Sequence, residues 1–446
     1  MTCKDKSTNQ PTSIVAIGVG NRMRTYMHYV LEHPELVQLV AIVEPDAIRR
    51  NAMGDLFHIP AEHRFEHYED FFNNPVPADA VIICTPEREH YKPSMMALQH
   101  GYHILLEKPI AQTYQECVDI ANMAKKMNRI VSICHVLRYH PCFLKVKELI
   151  ESGELGKIIT INHTEGVGID RDTHSYVRGI MNREKENNPM LLAKCCHDID
   201  FLIWIAGVKC RRLSSFGSLL WFKESNAPEG SALRCIDCKV EEQCPYSAVD
   251  LYWRRREWIS NFDIPKGQTL DDVLQKELKE GRYGRCVYHS DNDVVDNQVL
   301  TMQMEDGMLI TLCMDVFTQR DYRTTDVKLT EGEIICDEKK VYVTRFRGHR
   351  QQVYDFSDTV NQLYHAGADL KIVEDFVLAV RGEIDSLPTM IDGSLESHLI
   401  CFEAENSRLS GKTIHLLPYG RNIFIRKVGC WRYSQQPIFL LVIYGE

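Results

Sequence analysis

A lysine at the end of a predicted strand is the residue of this chain best placed to do chemistry. Residues 103–106 form a short apolar run, and Glu107, Lys108 and Pro109 follow it directly. The carboxyl ends of parallel strands open onto the crevice where such sheets bind ligands, so a lysine there can reach reacting atoms. Proline ends the strand, fixes φ and permits a cis peptide, which would hold Lys108 in one pose. The alternative is a surface Glu–Lys pair that closes the strand.

Two further side chains suited to chemistry lie on a predicted helix over residues 189–207. Lys194 and His197 are three residues apart. They are therefore neighbours on the helix surface, where both can address one hydroxyl group. The alternative is an ion pair between Lys194 and Asp198 with a core histidine beside it.

A glycine turn near the start of the chain has the spacing of a nucleotide-binding loop. A β-branched run over residues 13–17 leads into Gly18 and Gly20, and a helical pattern follows. Gly18 allows the tight turn, and Gly20 lets backbone N–H groups approach a pyrophosphate. Met23 stands where a third glycine is usual, so the match taken alone is weak.

The second predicted strand, residues 39–43, ends in an acid. Glu44 or Asp46 can accept a hydrogen bond from an adenosine ribose hydroxyl, which favours NAD over NADP. Arg49 and Arg50 lie close by in the sequence. They are the basis of the alternative, because an arginine there can meet a 2′-phosphate.

The third and fifth predicted strands also end in polar residues. These are Thr85, Pro86 and His90 after residues 80–84, and His135 and Arg138 after residues 130–134. Five short apolar strands that alternate with helical segments predict a parallel α/β sheet. The alternative for His90, His135 and Arg138 is that each is a satisfied loop residue.

Six motifs in this order resemble the Gfo/Idh/MocA oxidoreductases, the family of glucose-fructose oxidoreductase and inositol dehydrogenase. The motifs are the G-x-G-N-R turn that starts at Gly18, the acid after the second strand, Thr85-Pro86-x-x-x-His90, Glu107-Lys108-Pro109, the turn at residues 152–156, and Cys196-His197-Asp198-Ile199-Asp200. The resemblance implies an α/β plus α+β chain. An N-terminal Rossmann domain with a doubly wound parallel sheet (residues 1–140) is followed by an open, mostly antiparallel sheet domain (residues 141–420) that forms the substrate site.

The resemblance also implies a tightly held nicotinamide cofactor and a sugar or polyol substrate. The residues expected to bind NAD, with NADP the less expected cofactor, are Gly18, Gly20, Asn21, Arg22, Glu44, Thr85, Pro86, His90, Glu107 and Lys108. The family often buries an oligomer interface under the second sheet, so a homodimer or homotetramer is expected.

A histidine-bearing aromatic loop over residues 173–179 suits carbohydrate binding. Sugar hydroxyls need directional donors and acceptors, and sugar C–H faces need an aromatic surface. The alternative is a polar loop without a ligand. The expected substrate residues are His135, Arg138, His174, Tyr176, Arg178 and Asp198.

The expected reaction takes a hydride from a secondary alcohol, which also requires removal of the hydroxyl proton. A desolvated Lys108 near a cationic nicotinamide should have a lowered pKa and exchange that proton near neutral pH. By the family pattern His197 corresponds to the catalytic-site histidine. The family commonly has an aspartate four residues before it, where this chain has Ala193 followed by Lys194. Lys108, His197 and Lys194 are therefore the expected catalytic residues, with the usual acid/base set incomplete.

Three functions are compatible with this pattern. The first is an NAD(P)-dependent oxidoreductase acting on a secondary hydroxyl of a sugar, polyol or glycoside. The second is a glycosidase or epimerase that uses NAD transiently, through oxidation, elimination and re-reduction, which the change at Ala193 keeps open. The third is a non-catalytic nucleotide-binding sensor.

An insertion over about residues 221–285 carries closely spaced cysteines. Cys235-x2-Cys238 and Cys244 can bind zinc, with Cys286 or His289 as a fourth ligand. A single C-x2-C without a second half favours the absence of a metal, which is the expectation here. Residues 421–446 have no counterpart in the family and are a strand extension, an oligomer contact or partly disordered.

Composition argues against several other classes of protein. The chain has 446 residues, 44% of them hydrophobic, which is enough for two or three domains. Its net charge of −10 argues against a nucleic-acid partner. The sequence shows neither a secretory signal nor a membrane-spanning run, and its 16 cysteines are typical of reduced core thiols. A cytoplasmic protein is expected.

Overall fold

The computed structural model describes residues 10–360, 363–416, 430–433 and 436–439 of the chain. The described residues form two large sheets with helices packed on them. None of the helices in these ranges combines the length and the apolar character that a membrane span requires.

The first sheet has six parallel strands in the order β3-β2-β1-β4-β5-β6. Its strands are β1 (Thr12–Ile17), β2 (Val37–Val43), β3 (Arg64–Phe65), β4 (Ala80–Ile83), β5 (His103–Leu106) and β6 (Val131–Ile133). The predicted Rossmann sheet is confirmed, but the prediction of five strands missed the two-residue β3. The strand order reverses between β1 and β4, which opens a crevice at the carboxyl ends of these strands.

Helices cover both faces of this sheet. They are α1 (Asn21–Glu32), α2 (Ala47–Leu56), α3 (Tyr68–Asn73), α4 (Tyr91–Gln99) and α5 (Tyr114–Met127). The β1 side chains from Ile14 to Ile17 alternate between the two faces and are fully buried on both, as a parallel sheet requires.

The second sheet has nine strands, and every neighbouring pair is antiparallel except β7 with β10. The elements of this half of the chain are α6 (Pro141–Glu151), β7 (Ile158–Gly166), α7 (Ile169–Asp172), α8 (Met190–Ala206), β8 (Cys210–Ser218), α9 (Leu270–Glu280), β9 (Asn297–Met304), β10 (Leu309–Asp315), β11 (Tyr322–Leu329), β12 (Gly332–Cys336), β13 (Lys340–Arg345), β14 (Arg350–Asp355), α10 (Ser357–Val360), α11 (Leu363–Ala366), α12 (Ala368–Val380), α13 (Ile391–Ser410) and β15 (Ile414–His415). β9 and β10 form an antiparallel hairpin that turns at Asp306-Gly307, where Gly307 has a positive φ.

One face of the second sheet packs on α8, whose apolar residues share a core with β7, β9 and β10. The opposite face carries exposed apolar side chains. Phe216 on β8 and Val299 on β9 are paired neighbours there, 71% and 38% exposed.

Two segments lie or fold differently from what the chain order and the sequence pattern indicate. Helix α12 follows the strands of the second domain in the chain, but Ile372 and Phe376 pack with Met23 and Met27 of α1, so it completes the first domain. Its amphipathic pattern required an apolar partner without specifying which one. The predicted loop at residues 173–179 is largely a π-helix, Thr173–Arg178.

The insertion forms a small core of its own, in which Leu251 and Tyr252 pack against Leu274 and Leu278 of α9. Near the other end of the chain, two short antiparallel strands, β16 (Cys430–Tyr433) and β17 (Gln436–Phe439), pair with each other. The rest of the predicted extension at 421–446 lies outside the described residues.

Candidate active site

Lys108 joins the two domains. It follows β5, and its peptide bond to Pro109 is cis. Its Nζ donates a hydrogen bond of 2.7 Å to the carbonyl oxygen of Ala193 on α8. The lysine therefore stands at the carboxyl edge of the first sheet and against the helix that carries His197, as the sequence predicts.

A buried ionic network fixes the backbone of Lys108. Glu107 accepts hydrogen bonds from Arg22 Nε at 2.7 Å, from the Tyr26 hydroxyl at 2.5 Å and from the Lys108 backbone N–H at 2.9 Å. Arg22 Nη2 also donates to Asp369 Oδ1 at 2.6 Å. Burial raises the pKa of Glu107, but Arg22 and Lys108 outweigh it and leave that pKa below its usual value. Arg22 and Glu107, predicted as cofactor ligands, are bonded to protein groups and hold the backbone of Lys108. Their contact with the cofactor stays a prediction.

The charge of Lys108 is favoured by its surroundings. Burial lowers the pKa of Lys108, as predicted, but Cys196 and the carboxylates of Glu87 and Glu107 raise it. The net effect of the protein's own groups is a pKa above the ordinary 10.5. The predicted lowering also depends on the charge of a bound nicotinamide, and it stays a prediction. At neutral pH the lysine is an ammonium group and a hydrogen-bond donor.

His197 has the opposite electrostatic setting. Burial, the charge of Lys108 and the neighbouring His135 hold its pKa well below 6.5. Its ring meets that of His135 edge to face, with centroids 5.7 Å apart, and its Nδ1 is buried without a hydrogen-bond partner. His197 is therefore a neutral imidazole at neutral pH.

Sequence reasoning missed a buried carboxylate beside the lysine. Glu87 follows Thr85-Pro86 and accepts a 2.5 Å hydrogen bond from Asn188 Nδ2, with both side chains almost fully buried. Burial raises the pKa of Tyr176 well above its usual value, and the charge of Glu87 raises it further, which places Tyr176 near this pair. An acid directly after the Thr-Pro of a strand end is the signal that would have identified Glu87.

The loop around Glu87 is tied to the segment after Lys108. Of the predicted cofactor residues there, His90 Nδ1 lies 2.7 Å from the Pro109 oxygen and its Nε2 lies 3.0 Å from the Thr85 oxygen. Pro86 begins the short helix that carries Glu87. These residues set the shape of the loop.

Lys194 meets a different carboxylate from the one expected. Its Nζ lies 2.8 Å from Glu165 Oε1 of β7, so the alternative of a Lys194–Asp198 pair is wrong. Asp198 was predicted to contact the substrate. It is fully buried and bonded to Arg323 at 2.7 Å and His163 at 3.0 Å, so a substrate cannot reach it. Burial raises the pKa of Glu165 to about 7, although Arg323 and Lys194 oppose that shift.

His174 and Arg178 are not in the crevice. Arg178 is fully buried and donates to the backbone oxygens of Arg285 and Tyr246 in the insertion, at 2.7 and 2.5 Å. His174 contacts Tyr252 and Asn261 through its two ring nitrogens and stacks on Tyr283 at 4.6 Å. The π-helix turns both side chains towards the insertion, which corrects their assignment to the substrate.

Arg138 and His135 are also internal. Arg138 binds both oxygens of Asp200 on α8, at 2.7 and 2.8 Å, and the Pro388 carbonyl at 2.6 Å. His135 is completely buried behind His197. Both were predicted to contact the substrate, and both instead lie in the protein interior.

We expect Arg138→Ala to lower the free energy of unfolding by about 3–5 kcal/mol, because it leaves the buried Asp200 carboxylate without its partner. Chemical denaturation followed by circular dichroism measures this. Asp200→Asn in the same chain should restore part of the loss. If Arg138→Ala leaves the unfolding midpoint unchanged and raises KM, Arg138 contacts the substrate and is not a structural residue.

The glycine turn fits a dinucleotide. Gly18 has φ +83°, and a Cβ there would lie 2.7 Å from the backbone at Cys84, whereas a Cβ on Gly20 would meet nothing within 4 Å. Gly20 caps α1 without a side-chain hydrogen bond, which leaves N–H groups of the first turn for an anion. Glu44 accepts from the backbone N–H groups of Val19 and Asp46, at 2.6 and 2.9 Å, and its acidic oxygens can each accept one more bond.

A segment of the insertion, residues 258–263, reaches across to this turn; we call it the strap. Trp258 stacks on His174 at 5.0 Å, Asn261 is hydrogen-bonded to Asn21 at the start of α1, and Asp263 pairs with Arg24 and Arg49. The predicted cofactor residue Asn21 is thus in contact with the second half of the chain.

Three cysteines of the insertion lie near one another. Burial raises the pKa of Cys244, and the neighbouring thiols of Cys235 and Cys286 raise it further. Cys235 is buried next to Arg178 and the Ala248 N–H, and Cys238 and Cys244 are half-buried. Within the described ranges no three His, Cys, Asp or Glu side chains gather in a way that could hold a metal ion. The expectation that the insertion carries no metal stays a prediction.

A six-stranded parallel sheet with a glycine turn, joined to an open sheet that carries a histidine helix, defines an NAD-binding oxidoreductase of two domains. The chain belongs to the Gfo/Idh/MocA family. The family model described as "Oxidoreductase family, NAD-binding Rossmann fold" matches residues 12–135, and the model of its C-terminal alpha/beta domain matches residues 147–408. The first domain is accordingly an NAD-binding domain.

Relatives with names cover the chain to different extents. YteT of Bacillus subtilis (strain 168), an oxidoreductase by its name, is 22% identical over 347 residues, which are 73% of this chain and 77% of that protein. Inositol 2-dehydrogenase of Corynebacterium glutamicum (strain R) is 23% identical over 43% of this chain and 53% of its own length. The chain therefore matches about half of the inositol dehydrogenase.

Solved structures share the fold. Levoglucosan dehydrogenase, in complex with NADH and levoglucosan, superimposes with a TM-score of 0.67 at 15% identity, covering 91% of this chain and 99% of that one. Myo-inositol 2-dehydrogenase from Lactobacillus plantarum gives 0.64 at 17% identity, covering 91% and 100%.

Proposed function

We propose that this protein is an NAD-dependent oxidoreductase that acts on a secondary hydroxyl group of a sugar, polyol or glycoside. The observation that carries the proposal is the 2.7 Å contact between Lys108 at the end of β5 and the Ala193 carbonyl of α8. It holds an ammonium group of the NAD-binding domain against the helix of His197. The similarity to inositol and levoglucosan dehydrogenases supports a carbohydrate or polyol as substrate.

The chain's own residues would hold the substrate oxygen and move its proton. A nicotinamide held at the glycine turn would supply the acceptor for the hydride of the carbinol carbon. Lys108 uses one N–H on Ala193, so two donors remain on Nζ for the substrate oxygen, where negative charge develops as the hydroxyl is deprotonated. The neutral His197 accepts that proton.

A panel of sugars, polyols and glycosides, followed by NADH absorbance, tests this function. We expect net NADH formation with at least one member, together with NAD(H) in the mass spectrum of the purified protein. Cofactor binding without turnover over a wide panel would favour the nucleotide-binding sensor and contradict the enzyme.

A redox-neutral reaction is the second candidate, favoured by the Glu165–Lys194 pair at 2.8 Å. Elimination next to a transient ketone must remove a C–H proton as well as the hydroxyl proton, which requires a second base. Glu165 has a pKa raised by burial to about 7, which suits that step, and its partner Lys194 lies on the same helix as His197. Glycoside cleavage or epimerisation without net NADH, with solvent deuterium on the adjacent carbon, would identify it.

Lys194→Met separates these roles. If the pair works in catalysis, we expect kcat to fall by about 10²-fold. The acid limb of the pH profile should also move to higher pH, because Lys194 lowers the pKa of Glu165 and its loss lets that pKa rise. Activity needs ionised Glu165 in this case, so it falls as the pH drops through that pKa, and Glu165→Gln should remove the limb.

Lys371→Met is the matched control, since Lys371 forms an exposed pair with Glu374 on α12. It should leave both kcat and the pH profile unchanged. A Lys194→Met enzyme with wild-type kcat and a lower unfolding midpoint would make the pair structural and remove the support for the redox-neutral reaction.

Self-association and location belong to the same proposal. Exposed Phe216 and Val299 lie side by side on the open face of the second sheet, where a second copy would cover them in a homodimer or homotetramer. The molar mass in solution tests this. A cytoplasmic location and the absence of a nucleic-acid partner stay predictions.

A further inference from the structure

An acidic side chain of the strap lies between two arginines of the first domain. Asp263 Oδ1 accepts from Arg24 Nη2 at 2.9 Å, and its Oδ2 accepts from Arg49 Nε at 2.6 Å. Arg24 lies one turn into α1, after the glycine turn, and Arg49 lies in the first turn of α2, just beyond Glu44 at the end of β2. Asp263 therefore bridges the edge of the crevice where an adenosine ribose would lie.

Rossmann domains distinguish NAD from NADP at this edge. An acid after the second strand binds the ribose hydroxyls of NAD, and a nearby arginine accommodates the 2′-phosphate of NADP. Here Glu44 supplies the acid, while Arg49 is already engaged by Asp263. Arg50 is directed to the backbone oxygens of Glu44 and Pro45. A 2′-phosphate would have to displace the carboxylate of Asp263 or lie beside it.

We propose that Asp263, a residue of the insertion, makes the cofactor site selective for NAD over NADP. The inference rests on the proposed NAD-dependent function and deepens it. The carboxylate acts twice, because it neutralises the two arginines that would attract a phosphate and it repels a phosphate dianion that approaches them.

Asn261 of the strap anchors the segment that carries Asp263. Asn261, two residues earlier, is hydrogen-bonded to Asn21 and lies 2.9 Å from His174 Nε2. Burial raises the pKa of Asp263, but its hydrogen bonds to Arg24 and Arg49 outweigh burial and leave that pKa below its usual value. The carboxyl group is therefore ionised at neutral pH. The side chains of Arg24 and Arg49 are 38% and 35% exposed, so salt should weaken the discrimination.

Direct binding of NADH and NADPH, followed by cofactor fluorescence without substrate, tests the inference. We expect the wild-type protein to bind NADH more tightly than NADPH. Asp263→Ala should narrow the ratio of the two dissociation constants by about tenfold or more through a gain in NADPH affinity, with NADH affinity little changed. Arg49→Ala in the Asp263→Ala background should remove the gain, and added salt should reduce it.

The control replaces an acid of the same insertion whose ion pair is with an arginine of the insertion and not of the first domain. Asp271 pairs with Arg256 at 2.7 Å, and Asp271→Asn changes the net charge as Asp263→Ala does. Asp271→Asn should leave the ratio of the NADPH and NADH dissociation constants unchanged.

Three results would overturn the assignment. They are a wild-type protein that prefers NADPH, an unchanged ratio in Asp263→Ala, and an equal loss of both cofactors in that variant, which would make Asp263 a structural link only. This test measures binding and not turnover, so it does not depend on the proposed reaction. If that reaction is wrong, the protein should still bind NADH more tightly than NADPH but show no activity on any alcohol.

Discussion

Replacing Lys108 by methionine is expected to lower kcat by about 10² to 10⁴ and to leave NAD affinity nearly unchanged. Methionine keeps the apolar length of the side chain but removes the ammonium that Ala193 and the substrate oxygen would share. The backbone at this position is held by Glu107, whose bonds do not involve the Lys108 side chain, so the cofactor crevice should keep its shape. Steady-state kinetics and NADH binding of the same preparation measure the two quantities.

The pH profile gives a second readout for Lys108. Its pKa lies above 10.5, so at neutral pH almost all of the lysine is protonated. If Nζ rather than His197 takes the hydroxyl proton, alcohol oxidation must accelerate as the pH rises towards that pKa, ketone reduction must slow there, and Lys108→Met must abolish both dependences. With His197 as the proton acceptor, we expect neither alkaline dependence.

His197→Ala is the companion variant. It should lower kcat and raise KM, because the imidazole also holds the substrate hydroxyl, and its loss should not add to that of Lys108→Met in the double variant, since both groups serve one proton transfer. Wild-type kcat in Lys108→Met would remove the lysine from the mechanism and with it the main support for a dehydrogenase. Fully additive losses would show that the two residues act in separate steps.

Local signals were sufficient for the first domain. The strands of its sheet are runs of buried β-branched residues, and a glycine turn depends on a few neighbouring residues, so both are readable from short stretches of sequence. Strand β3 was missed because two residues, Arg64 and Phe65, carry no pattern. The placement of Lys108 at a strand end followed from the same local logic.

The substrate side could not be read in this way. His174 and Arg178 look like surface ligands because they are polar, but the insertion, which begins more than 40 residues later in the sequence, buries both. Which polar residue is covered depends on tertiary packing that has no local signature. Lys194 shows the same limit. Its partner Glu165 lies on strand β7, 29 residues earlier in the chain, whereas Asp198 is the carboxylate near it in sequence.

The strap was unpredictable for a related reason. Asp263 lies 214 residues from Arg49 and 239 from Arg24. The cysteines of its insertion raised only the possibility of a zinc site. Charge pairs at that separation are set by how the domains dock. The presence of Arg49 in the sequence left both NAD and NADP open as cofactors, and the sequence alone could not decide between them.

The second large effect is expected at the glycine turn, where Gly20→Val should abolish detectable NAD(H) binding without unfolding the protein. Gly20 has φ −80°, which valine can adopt, and a Cβ there would meet no described atom within 4 Å. The fold should therefore tolerate the new side chain, at a cost of about 1 kcal/mol or less for the altered helix cap. The cofactor should not tolerate it, because the isopropyl group would lie between the pyrophosphate and the N–H groups at the start of α1.

Loss of two such charge-assisted hydrogen bonds, at about 1.5–3 kcal/mol each, corresponds to about 10²-fold or more in the dissociation constant. Gly18→Val is the contrasting variant. Gly18 has φ +83° and its Cβ would lie 2.7 Å from the backbone at Cys84, so this substitution should lower the unfolding midpoint as well as binding. NADH titration with thermal unfolding of both variants separates the two causes. Unchanged NADH affinity in a folded Gly20→Val protein would show that the pyrophosphate does not lie on this turn, and would remove the assignment of Gly18, Gly20 and Glu44 to the cofactor.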